Sequence, residues 1–126
     1  MTPRLLGTET INAIHAKCLD QFGGLPGTPD PGAVVSAVKM VQNHFDYTGS
    51  DLFNLAGVLL WHLVSTPPFA DGNQRTALAS ALIFLSANGI DLAPNDDLFE
   101  TLILAIAQGT AQRDQIADAL RKAPRA

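Results

Sequence analysis

A single cysteine, Cys18, stands in this chain of 126 residues. That excludes an internal disulfide framework and points to a reducing, cytoplasmic setting. Basic side chains are also scarce, with 8 Lys and Arg against 12 Asp and Glu and a formal charge of −4. A dedicated nucleic-acid binder would show a basic surface, so no direct nucleic-acid partner is expected. No charged-then-apolar leader opens the sequence. The longest uncharged run, Leu52 to Ala70, is interrupted by Asn54, His62 and the pair Pro67-Pro68, which makes a poor membrane span. Strand signals, internal repeats, low-complexity tracts and zinc-type ligand spacings are absent as well. The length suits one domain, 1–126, able to bury a core without a metal or a disulfide.

What the chain does contain is helical periodicity. Thr8 is placed to cap a first helix ending at Gly23-Gly24, with Ile11, Ile14, Cys18, Leu19 and Phe22 on one face. After a Pro- and Gly-rich loop, Asp30 and Pro31 open a second helix carrying Val34, Val38, Val41 and Phe45. A third runs from Asp51 to about Val64, and a fourth from near Gly72 to Gly89. Asn95 is placed to cap a fifth ending near Gln108, and a sixth spans Thr110 to Lys122. The fourth helix, from Thr76 to Ala87, has no charge on any face, which predicts the buried centre of a bundle. The expected fold is an all-α, single-domain helical bundle around a buried central helix.

Charge placement singles out one segment. Between Lys39 and Arg113 the only basic side chain is Arg75, among seven acids. Arg75 follows Asp71-Gly72-Asn73-Gln74 at the start of the uncharged fourth helix. A helix N-terminus presents unsatisfied N–H groups and a positive dipole end, which favour an anion. Gly72 permits close approach, Asn73 adds donors, and Arg75 adds a planar fork that matches phosphate oxygens. Asp71 could hold a hard cation such as Mg²⁺, which takes one or two carboxylates together with phosphates. A plain structural account stands beside this one. Asp71 and Gln74 have capping-box spacing, Arg75 could pair with Asp71, and Phe69 could be a core anchor. His15, His44 and His62 read as ordinary helix histidines, and Trp61 and Leu60 as core.

The run Pro67-Pro68-Phe69-Ala70-Asp71-Gly72-Asn73-Gln74-Arg75 resembles the His-Pro-Phe-x-Asp/Glu-Gly-Asn-x-Arg signature of Fic-fold proteins. The segments Phe22-Gly23-Gly24-Leu25-Pro26-Gly27, Asp30-Pro31-Gly32 and Ala77 to Leu85 resemble the short death-on-curing (Doc) branch. That resemblance implies a motif loop cradling nucleotide phosphates. In it Asp71 would bind Mg²⁺, Gly72 and Asn73 would form the anion-holding turn, and Arg75 would clamp phosphate. It further implies a toxin that phosphorylates a threonine of elongation factor Tu with Mg·ATP and so blocks translation, neutralised by a Phd-like antitoxin. Fic enzymes outside this branch transfer AMP from ATP instead.

Three positions depart from the signature. Pro67 replaces the motif histidine, the general base for the target hydroxyl, and a proline ring has no lone pair to accept a proton. Loss of a positioned base costs roughly 10²–10⁴ in rate. Gln74 stands where Doc relatives often carry lysine, and Leu78 where longer Fic enzymes place a second arginine. The expectation is a retained nucleotide site with impaired transferase chemistry. The alternatives are a non-catalytic module that binds antitoxin or nucleotide, and an AMP-transferring Fic enzyme.

Overall fold

The computed structural model describes residues 2–126. Its elements are α1 (Thr8–Phe22), α2 (Pro31–Thr48), α3 (Leu52–Ser65), α4 (Asn73–Ala87), α5 (Asp96–Ala107) and α6 (Arg113–Lys122). The only extended pairing among the described residues is an isolated bridge between Leu92 and Arg125. Among the described residues no helix is long and apolar enough to cross a membrane.

Helix boundaries follow local chemistry. Asp51 accepts the Asn54 N–H at 2.8 Å and caps α3, and Asn95 accepts the Leu98 N–H at 3.2 Å and caps α5. Two expected caps are not made. Gly7, not Thr8, occupies the N-cap position of α1, and Asp30 stands at the N-cap of α2 without a side-chain bond. There Pro31 supplies the preset φ of a first helical residue, so the helix starts without a side-chain cap.

The buried central helix exists, but it is α3 rather than α4. From Leu55 to Leu60 every residue of α3 is buried, and so are His62, Leu63 and Val64. This helix packs against α2, α4, α5 and α6. Helix α4 buries Thr76, Ala77, Ser80, Ala81, Phe84 and Leu85 but leaves Leu78, Ala79, Leu82 and Ile83 partly or fully exposed. An uncharged sequence shows only that a face tolerates burial, and here one face of α4 is only partly covered by the described residues. Trp61 is only half-buried, with the Arg113 guanidinium 4.5 Å from its ring centroid.

One polar side chain lies inside this hub. His62 is buried, and neither ring nitrogen has a hydrogen-bond partner. Burial, helped by the nearby charge of Arg113, holds its pKa below the ordinary 6.5. The fold therefore favours the neutral ring, whereas the unfolded chain takes up a proton at the ordinary value. Stability from this source is complete above pH 6.5 and is lost as pH falls from there through the lowered folded value. The Asp51 carboxyl belongs to a separate, more acidic window. Partial burial raises its pKa, but the Asn54 amide and Arg121 outweigh that and keep it below 3.8. Denaturant midpoints measured from pH 7.5 to 5.5 (about one unit on either side of the unperturbed histidine value) are expected to fall for this chain and to flatten in His62→Phe. An equal slope in the variant would assign the effect to another group.

Candidate functional site: the loop between α3 and α4

Helix α3 stops at Ser65, and Thr66 (φ −127°, ψ 75°) leads into Pro67-Pro68. The proline ring disfavours helical geometry in the residue before it, so the chain turns away here. The loop then closes on itself. Asn73 Oδ1 accepts the Phe69 N–H at 2.9 Å, while Asn73 Nδ2 donates to the Phe69 carbonyl at 2.8 Å. Phe69 is buried and lies flat on the His15 ring of α1, with centroids 3.7 Å apart and planes within 6°. His15 Nε2 lies 2.9 Å from the Asp71 carbonyl oxygen. A carbonyl can only accept, so that nitrogen carries the proton.

The loop between α1 and α2 supports the other side. The Gly27 carbonyl accepts the Ala70 N–H at 3.0 Å, and the Pro68 carbonyl accepts the Asp30 N–H at 3.1 Å. The exposed carboxylate of Asp71 accepts the Leu25 N–H at 3.1 Å and the Gly72 N–H at 2.9 Å. Gly24, at φ +126°, passes so close that a Cβ there would lie 2.9 Å from Asp71 Oδ2. Only glycine fits both that backbone conformation and that approach.

Gly72 is the N-cap of α4 and adopts the left-handed conformation (φ 75°, ψ 17°), with no side-chain cap on the helix. The first-turn amides are thus left without a side-chain acceptor. The capping box expected between Asp71 and Gln74 does not form, because the Asp71 carboxylate is turned to Leu25 and Gly72. Nor does Arg75 pair with Asp71. Its guanidinium lies 4.0 Å from the Phe22 ring centroid, and the ion pairs among the described residues are those of Arg121 with Asp51 and Asp118. Arg75 is exposed and available to an anion.

The expected site residues therefore divide. Asp71, Gly72 and Arg75 are grouped at the tip of α4, with Gln74 exposed beside them. Asn73 opens α4, and its amide clasps Phe69 through Oδ1 and one of the two Nδ2 hydrogens, so it shapes the turn and keeps one further N–H donor. Pro67 is exposed at the start of the loop, and its side chain offers no acceptor. His62 is buried and makes no hydrogen bond to the loop. His15, expected to be an ordinary partly exposed histidine, is buried beneath the motif. The available signal was its position four residues after Ile11, on the apolar face of α1. No group of three or more His, Cys, Asp or Glu capable of holding a metal occurs among the described residues. A hard cation at this place would rest on Asp71 together with phosphate and water oxygens, an arrangement that suits Mg²⁺.

Beside the tip, α1, α4 and α5 enclose an open groove of about 780 Å³. Phe22, Leu78, Leu82, Phe99 and Leu104 give it an apolar floor and walls, and Arg75, Asp96 and Glu100 add charge. The face that α4 leaves unburied is a wall of this groove.

A family model described as Fic/DOC matches residues 5–85 of the chain. The chain is 34% identical over 120 residues to the protein kinase doc of Escherichia phage P1, a match covering 94% of each protein. It is 38% identical over 102 residues to the toxin Doc of Mycolicibacterium smegmatis, covering 76% of this chain and 77% of that one.

The closure by Asn73 has a measurable consequence. Asn73→Ala strips two backbone groups of Phe69 of their partners and is expected to cost about 1–3 kcal/mol in denaturant unfolding. A loss within experimental error would show that the clasp does not hold the loop.

Proposed function

The chain belongs to the Fic/Doc family, and from that premise we propose that it is a Doc-like toxin of a toxin–antitoxin pair. In this reading it keeps a Mg·ATP cradle and is impaired in transferring phosphate to a protein hydroxyl. One observation carries the proposal: α4 begins at a left-handed Gly72 with no side-chain cap, beside the exposed Asp71 carboxylate and an Arg75 free of any acid. The relatives named as a kinase and as a toxin support the reaction class and the biological role.

The residues present suit such a ligand. First-turn amides and the Arg75 fork would bind polyphosphate oxygens. Two backbone N–H groups orient the Asp71 carboxylate, whose two oxygens offer about four acceptor positions, leaving room for a cation. Bound Mg²⁺ would neutralise charge on the phosphates during transfer. The remaining requirement is a base for the proton of the attacking hydroxyl, and Pro67 cannot provide one. Positioning and electrostatic stabilisation survive, and general-base catalysis does not.

The same reading supplies a partner for the groove. An apolar trough beside the phosphate cradle suits an amphipathic segment of a Phd-like antitoxin. Its burial would also satisfy the α4 face that the chain leaves only partly covered.

Paired assays test both parts. With γ-labelled ATP and elongation factor Tu, Pro67→His is expected to raise labelling of the factor by about 10²–10⁴-fold over the chain as it stands. Adding Asp71→Asn or Arg75→Ala to that variant is expected to abolish the gain. In a parallel assay with α-labelled ATP, labelling there and none from the γ-label would assign AMP transfer instead, and no labelling by Pro67→His from either would overturn the catalytic proposal. Leu104→Glu, at the groove rim, is expected to abolish binding of a Phd-like peptide, and undiminished binding would move the antitoxin elsewhere.

A further inference from the structure

Helix α1 carries a side chain that the reaction described above does not use. His15 is 6% exposed, its ring stacks on Phe69, and its Nε2–H donates to the Asp71 carbonyl at 2.9 Å. The ring also lies directly beneath the turn, since a Cβ on Gly72 would come within 3.8 Å of both Cδ2 and Nε2. One imidazole thus supports both ends of the motif loop.

The bond to Asp71 matters because of the peptide it engages. The Asp71–Gly72 unit is planar and trans, so its carbonyl and its N–H point to opposite edges. Holding the carbonyl on the α1 side aims the Gly72 N–H away from α1, where Asp71 Oδ1 receives it at 2.9 Å. Glycine supplies the left-handed conformation that the turn needs, but its freedom in φ and ψ also makes this peptide the easiest in the loop to rotate. A rotated peptide would direct a carbonyl oxygen toward the anion-binding side and release the carboxylate from its amide. A donor fixed on the carbonyl removes that freedom.

We infer that His15 is a positioning residue: by holding the Asp71 carbonyl through Nε2–H, it locks the Asp71–Gly72 peptide in the orientation that lets the carboxylate and the first-turn amides of α4 face a metal-bound polyphosphate. This deepens the nucleotide reading of the same site and rests on it. The locking itself is a statement about the free protein.

Two variants separate positioning from packing. His15→Leu keeps an apolar side chain over Phe69 and removes the donor, whereas His15→Gln restores an N–H at nearly the reach of Nε2. Two quantities are followed: the Gly72 amide resonance and the affinity for Mg·ATP measured by calorimetry. His15→Leu is expected to shift or broaden the Gly72 resonance and to weaken Mg·ATP by about 10- to 100-fold, the usual effect of removing a group that orients a metal ligand. His15→Gln is expected to recover both. An unchanged Gly72 resonance in His15→Leu, or equal losses in the two variants, overturns the inference. If the parent chain binds no Mg·ATP, the nucleotide reading fails, and the Gly72 resonance in the two variants still decides the positioning role. Should His15→Leu not fold, nitrogen NMR of the parent imidazole decides. A proton on Nε2 is expected, and one on Nδ1 alone overturns the inference.

Discussion

The reciprocal amide bond between Asn73 and the backbone of Phe69 is the constraint on which the site depends. A loop joining two helices must satisfy its backbone groups without help from a helix ladder. Asn73 does this for both polar groups of one residue, across a span of four. With the loop closed in this way, Phe69 is delivered into the core against His15, and the chain emerges from Gly72 directly into the first turn of α4. The bonds to Gly27 and Asp30 then tie the same loop to the segment after α1. The tip of α4 is therefore held from beneath by α1 and from the side by the α1–α2 loop, while its outer surface stays open.

Electrostatics follows from that geometry. The chain is acidic overall, and through its middle it carries one cation, which lies within the first turn of an uncapped helix. Left without a carboxylate partner, Arg75 lies over Phe22 at the junction between the α4 tip and the apolar groove. In the proposed reading the helix end and the guanidinium attract an anion and the Asp71 carboxylate takes a cation. On the same proposed reading catalytic power is a separate matter, because proton removal needs a basic atom and the side chain at position 67 is a saturated ring.

Most of the architecture was readable from the sequence because helix ends are written in local chemistry. Gly23, Pro31, Asp51 and Asn95 all act near the positions their side chains or flexibility suggest. The identity of the central helix was not readable that way. An uncharged stretch such as Thr76 to Ala87 shows what can be buried, while the partners that bury it come from other parts of the chain, and these chose α3. The site divides similarly. The grouping of Asp71, Gly72 and Arg75 follows from their adjacency. The commitment of Asn73 to Phe69 spans 4 positions and the burial of His15 is marked by its spacing from Ile11, but the bond of His15 to Asp71 and the close pass of Gly24 depend on contacts across 56 and 47 positions, beyond the range of sequence periodicity.

The gap between binding and chemistry gives the account its most direct check. Amide resonances of the unaltered chain, followed during titration with Mg·ATP, are expected to move at Gly72, Asn73, Gln74 and Arg75 in a saturable way that requires Mg²⁺, with no phosphate released. Saturable shifts confined to other surfaces, or no shifts at all, would contradict the assignment of the α4 tip as a polyphosphate cradle.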